Sequence, residues 1–304
     1  MKAKRLISSC LVIFLMAGLS GLFSQSVFRV FILKGGASVL RASDSKVANL
    51  KIGDRLMPKD KVMLKGDVYV VLNHTDGASL ELSKAGNYAV KDLEKKAKAK
   101  YSSLIKKYGD YLAKSIEKNS EAEEYTGGLE RGLFRPDFTF IMPKTTKVLN
   151  KEIGFIWNKV PDAKVYKFKI LNENDKVLFE KEIKDTMCAV NFAKLPLDPN
   201  TCSFWAVSVD GELNRESEKH CVYPFPKDQD LKVKAELKEL NTKFGKKPSA
   251  IDLLIMGHFY ESYGLLADAY SCFTKAKKLG KGVKEYDYAL NSFILRASKY
   301  SIER

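Results

Sequence analysis

Between Ser249 and Gly280, small and aromatic residues recur at spacings that suit a tight pair of antiparallel helices. Gly257, Tyr260 and Gly264 are followed by Ala269, Phe273 and Ala276, with Leu253 and Met256 supplying apolar positions ahead of them. Two helices approach closely only where side-chain bulk is missing, which Gly257 and Ala269 provide, while Tyr260 and Phe273 fill the space between turns. These eight residues form the packing set of the pair. One pair cannot bury its own core, so flanking helices are required. Candidates stand on both sides: Leu231, Ala235, Leu237 and Leu240 before it, and Tyr286, Leu290, Phe293, Ile294 and Ala297 after it.

With these residues, Ser249 to Gly280 resembles one complete tetratricopeptide repeat, and residues 229–304 read as a tetratricopeptide-like helical domain of hairpins. Lys281 stands where many such repeats place proline, which loosens the end of the match. The resemblance implies a segment that binds a partner and does no chemistry.

At 304 residues and 45% hydrophobic content the chain can bury real cores, divided among two or three domains. Its first 25 residues read as a secretory signal. Lys2, Lys4 and Arg5 precede an apolar run from Leu6 to Leu19, followed by Ser20, Gly21 and Ser24. The alternative is an uncleaved anchor, although serines and glycines make it a weak spanning helix. Cys10 lies inside the apolar run and not after it, which argues against a lipoprotein signal. Export changes the meaning of the net charge of +15: outside the inner membrane it faces anionic envelope polymers or lipid head groups sooner than nucleic acid. Export also places Cys188, Cys202, Cys221 and Cys272 where disulfides form.

From residue 26 to 90 short alternating runs are separated by turn signals. Val68, Val70 and Leu72 precede Asp76-Gly77, after which Ala78, Leu80 and Leu82 alternate again. Gly35-Gly36, Gly53-Asp54 and Gly66-Asp67 mark other turns, giving six or seven strands in a small all-β barrel or sandwich. Leu50-Lys51-Ile52-Gly53-Asp54, Val62 to Leu64 and Asp76 to Leu82 make this segment resemble the extracytoplasmic FecR-like domain, an SH3-like β domain. The resemblance implies ligand or partner contact in the envelope.

Residues 91–132 read as a Lys-rich amphipathic helix and a linker. Leu93, Ala97, Tyr101, Leu104, Ile105, Tyr108, Leu112 and Ile116 form one apolar stripe on a long linker helix of some seven turns, and Gly127-Gly128 mark the exposed linker that follows. The opposite face carries nine lysines against four acids between residues 91 and 118. It is a solvated face or a weak contact surface for a membrane or an anionic polymer.

Alternation returns over residues 136–226. Ile153, Phe155 and Trp157 share a strand face, as do Tyr166, Phe168 and Ile170, and later Trp205, Val207 and Val209. Through Trp157, Tyr166, Trp205 and Val207 this stretch resembles a fibronectin type III β-sandwich, departing from that pattern at Ser203, where a tyrosine is expected. A hairpin turning near Gly211-Glu212 would set Cys202 roughly opposite Cys221, making them the candidate disulfide pair, with two separate buried thiols as the alternative.

His74, His220 and His258 fall in three different segments, and there is no nucleophile motif, phosphate loop or paired-carboxylate signature. No cysteine spacing matches a zinc site. The sequence therefore points to no catalytic residue, no cofactor and no metal. It leads to a periplasmic or envelope-associated, non-enzymatic adaptor or scaffold for a protein or peptide partner. The alternative is a module that binds peptidoglycan or an anionic surface glycan through the N-terminal β domain and the Lys-rich helix. Nucleic acid is not an expected partner. In this layout, residues 229–304 can be removed while the β domains stay folded.

Overall fold

The computed structural model describes residues 25–120, 137–149, 152–198, 201–212, 214–280 and 282–299. The anticipated leader, the glycine-containing linker before Gly132, and Lys281 lie outside the described residues, as does the side chain of Ile116. Among the described residues, several β sheets and six α-helices make this a mixed multidomain protein. The described residues divide into two compact units, one holding those up to Asp76 together with Leu82–Ala99, the other Gly77–Glu81 and those from Lys100 onward. Among the described residues no helix is long and apolar enough to cross a membrane.

In the first unit, β1 (Phe28–Lys34) pairs antiparallel with β4 (Arg55–Leu56) and with β6 (Tyr69–His74). A second sheet runs β3 (Val47–Asn49), β2 (Ala37–Leu40), β5 (Lys61–Leu64), β8 (Gly86–Ala89). With β7 (Ser79–Leu82), which crosses from one unit to the other, the segment has eight strands, one more than its turn signals suggest. Alternation fails in β6, where Tyr69, Val70, Val71 and Leu72 are all buried, as a strand covered on both faces requires. Asp60 organises the turns: its carboxylate accepts from the N–H groups of Ala42 and Met57 and from Arg41.

The Lys-rich helix is two helices, α1 (Val90–Lys100) and α2 (Ser103–Ser120), which corrects the single long helix read from the stripe. Tyr101 falls in the break and is exposed. The physical reason is Ser102, whose hydroxyl accepts the Ile105 N–H at 3.2 Å and starts a new helix there. α1 buries Val90, Leu93 and Ala97, and α2 buries Leu104, Ile105, Tyr108 and Leu112.

The larger unit contains a five-stranded sheet, in order β10 (Thr146–Val148), β16 (His220–Pro224), β15 (Ser203–Val209), β12 (Tyr166–Leu171), β13 (Val177–Ile183). A three-stranded sheet, β14 (Met187–Asn191), β11 (Glu152–Trp157), β9 (Ile141–Met142), shares its core. Phe168 stacks between Trp157, at 6.1 Å, and Trp205, at 5.6 Å, and all three are buried. The Tyr166 hydroxyl accepts from the Val160 N–H at 2.9 Å, tying the turn after β11 to β12.

Cys202 and Cys221 form a disulfide, with Cα atoms 5.7 Å apart. The ladder pairs Phe204 with Cys221, so the two cysteines sit diagonally across the hairpin and not face to face. Reducing the bond frees a loop of about twenty residues in the unfolded chain and is expected to cost about 3 kcal/mol. Denaturant titration with and without reductant measures this.

The remaining helices are α3 (Lys227–Phe244), α4 (Ala250–Ser262), α5 (Leu266–Leu279) and α6 (Lys284–Ser298). α3 buries Val233, Leu240 and Phe244, while Leu231 is 81% exposed and Ala235 also faces solvent. This differs from the face read out of the sequence. The Tyr263 hydroxyl donates to Glu236 at 2.6 Å, so the face of α3 carrying Val233, Glu236 and Leu240 turns inward.

Candidate partner-binding groove

α4 is buried from Ala250 to Tyr260, with Leu253, Met256 and Tyr260 keeping 6%, 8% and 8% of their surface open. Ser249 starts it: its hydroxyl accepts the Asp252 N–H, and Asp252 accepts the Ser249 N–H in return, a capping box. Two carboxylates therefore sit at the positive end of α4, because Glu81 also accepts the Ala250 N–H at 3.0 Å. Asp252 is further neutralised by Lys100 at 2.9 Å. α2 packs beside it, with Tyr108 edge-on to Phe259 and its hydroxyl 2.7 Å from Ser262 Oγ.

A tight turn through Gly264, whose φ of 72° favours glycine, returns the chain as α5. The two helices then meet where the packing set places them. A Cβ at Gly257 would lie 3.0 Å from the Phe273 ring, and Ala269, Phe273 and Ala276 are fully buried. Phe273 stacks on Phe293 of α6 at 4.8 Å, so α6 covers that side of the pair. α5 has no side-chain cap of its own. Thr146 from β10 supplies one, its hydroxyl accepting the N–H groups of Leu266 and Ala267 at 3.0 and 3.4 Å.

Between the end of α3, the Gly245–Pro248 connection and the facing sides of α4 and α5 lies a groove of about 760 Å³. Phe244, Pro248, Leu253, Met256 and Tyr260 give it apolar lining, with Leu279 at one side and Lys246, Lys275 and Lys278 as its basic residues. Of the eight packing residues, Leu253, Met256 and Tyr260 line this space, Gly257, Ala269, Phe273 and Ala276 close the helix seam, and Gly264 makes the turn. Sequence reasoning missed Phe244, Pro248 and the three lysines. Gly245 and Pro248 are residues of a turn, but nothing in the sequence says that this turn borders a groove.

The groups that carry chemistry elsewhere are dispersed and buried. Cys272 borders the groove, yet burial, with Asp268 adding to it, pushes its thiol up to about 12. Burial pushes Cys188 up to about 11. His74 accepts the Asp76 N–H through Nδ1 and is pulled below its usual value by burial. His258 Nδ1 lies 3.2 Å from Glu261, which also takes two bonds from Arg296. Burial pushes Glu261 up, but the hydrogen bonds from His258 and Arg296 outweigh it and hold the carboxyl below its usual range. Among the described residues no group of three or more His, Cys, Asp or Glu could hold a metal ion.

His220 packs against the Trp205 ring at 5.3 Å, and burial, aided by Lys144 and opposed by Glu218, pulls it down to about 4. The unfolded chain binds this proton more readily than the folded one between the ordinary value of 6.5 and about 4. Stability is therefore expected to fall with pH across that window, by about 3 kcal/mol for this group. Chemical denaturation at pH 7 and pH 4 measures it, and His220→Gln should flatten the loss.

No family model matches the chain, and no curated protein is similar to it. Among solved structures it is similar to a biofilm associated protein, BSP domain, at 12% identity and a TM-score of 0.21, over 66% of this chain and 28% of that one. The chain thus spans under a third of that protein's length, and a likeness of this strength carries no weight for fold or function.

Proposed function

We propose that this chain is an exported, non-enzymatic adaptor of the bacterial cell envelope that holds a protein or peptide partner in the groove of its helical end. The observation that carries this reading is the groove itself, an open space of about 760 Å³ with an apolar lining and a basic side. In this reading α4 and α5 are a tetratricopeptide-like hairpin, supported by the close approach of Gly257 to Phe273. The aromatic core around Trp157, Phe168 and Trp205 supports a fibronectin type III-like sandwich acting as the spacer behind it. The N-terminal β segment, with its Gly53 and Gly77 turns, is the FecR-like module.

The test fills the groove without altering its charge. Ser271→Trp, on the groove side of α5, is expected to abolish capture of crosslinked partners from envelope extracts while changing the free energy of unfolding by no more than about 0.5 kcal/mol. Undiminished capture by this variant contradicts the reading. The anionic-polymer alternative draws less support, because Lys95 and Lys98 of α1 are paired with Asp92 and Glu94.

A further inference from the structure

Some lysines of the larger unit are paired with carboxylates. Lys100, Lys234 and Lys277 each stand within 2.9 Å of a carboxylate, those of Asp252, Asp230 and Asp287. Among the described residues, no carboxylate pairs with Lys246, Lys275 or Lys278, and all three are exposed. One acid, Asp268, also lines the groove. Lys275 and Lys278 are three residues apart on α5 and so project from one side of it, with Lys246 contributed by the connection before α4. Three like charges are thereby gathered around one concavity against the single carboxylate of Asp268, beside Leu253 and Met256 and next to Leu279, which is 55% exposed.

We infer that the occupant of the groove is an acidic peptide segment that also carries apolar side chains. This rests on the reading of the groove as the partner site. The carboxylates of such a segment meet Lys246, Lys275 and Lys278, and its apolar side chains cover Leu279 and reach the lining formed by Leu253 and Met256. A nucleic acid or an anionic glycan would satisfy the lysines and leave that apolar surface uncovered. A basic or purely apolar peptide would leave the three charges crowded together. Charge sets which partner enters and how fast, and the apolar contacts hold it.

The probe is a fluorescein-labelled twelve-residue peptide alternating Glu with Leu, titrated against the full chain by anisotropy at low and high salt. Its comparators are the same peptide with Lys for Glu, the same peptide with Ser for Leu, and a sulfated glycan of equal charge. The Glu/Leu peptide is expected to bind at least about tenfold more tightly than any comparator, and to weaken as salt rises. The triple variant Lys246→Glu/Lys275→Glu/Lys278→Glu, all at exposed positions, is expected to reverse the preference toward the Lys/Leu peptide. Equal binding of the charge-reversed peptide, stronger binding of the glycan, or an unchanged preference in the triple variant overturns the inference. Should Ser271→Trp block partner capture while the triple variant captures normally, the groove reading stands and the acidic occupant is wrong. Should neither variant affect capture, both fall.

Discussion

Phe273→Ala is expected to destabilise the larger unit by about 4 kcal/mol, the middle of the range for a fully buried aromatic. Phe273 is completely buried, stacks on Phe293 and meets His258 edge-on at 5.0 Å, so its removal opens a cavity at the point where α4, α5 and α6 converge. Gly257→Leu attacks the same seam from the other side. Its Cβ alone would sit 3.0 to 3.1 Å from three atoms of the Phe273 ring, and the rest of the leucine has nowhere to go without parting the helices. A loss of about 3 kcal/mol or more is expected there. The two positions share one space, so Gly257→Ala combined with Phe273→Leu should be less damaging than the sum of the single changes by about 1 kcal/mol. Guanidinium unfolding of the four proteins tests this, and strict additivity would show that Gly257 and Phe273 do not oppose one another.

Removing residues 229–304 is expected to unfold or loosen the β strands of the same unit. The reason lies at β10, where Thr146 is fully buried and its hydroxyl accepts from two N–H groups of α5, while the Lys147 N–H donates to Gly264. Ala267 belongs to the aromatic core of the β sheets, and Phe140 meets Tyr270 at 6.3 Å. Deletion would strip this surface, losing the hydrogen bonds that tie β10 to α5 and exposing apolar area that is now covered. The truncated chain should therefore bind a hydrophobic dye and lose near-ultraviolet dichroism from Trp157 and Trp205. A cooperative unfolding transition in the truncated chain, matching that of the full chain, would contradict this. Thr146→Val isolates the polar part and should lower stability by about 1–3 kcal/mol.

That coupling was invisible in the sequence, and the contrast is instructive. Local spacing carried the helix pair, because Gly257 and Phe273 report on contacts between neighbouring elements. The strands around Trp157, Tyr166 and Trp205 were legible for the same reason, since alternation reflects burial of one face. Where several partners compete, local pattern fails. The stripe from Leu93 to Leu112 runs through Tyr101 and Ser102 without a gap, yet Ser102 restarts the helix, and a serine ahead of Leu104 and Ile105 was the available sign. Leu231 and Ala235 satisfy a helical period as well as Val233 and Phe244 do, and only the Tyr263 to Glu236 bond shows which face turns inward. The capping of α5 by Thr146 spans about 120 residues, and no window of sequence contains it. The groove lysines looked like any others in a chain with 52 basic residues.

The claim on which the rest depends is that this protein acts by holding a partner at one concave surface. A photoreactive benzoyl-phenylalanine placed in the living cell at position 278, beside the groove, and in separate strains at positions 96 and 295, tests it directly. The account predicts a discrete protein adduct from position 278 and none from the other two. Adducts from position 96 or 295 with none from position 278 would contradict it.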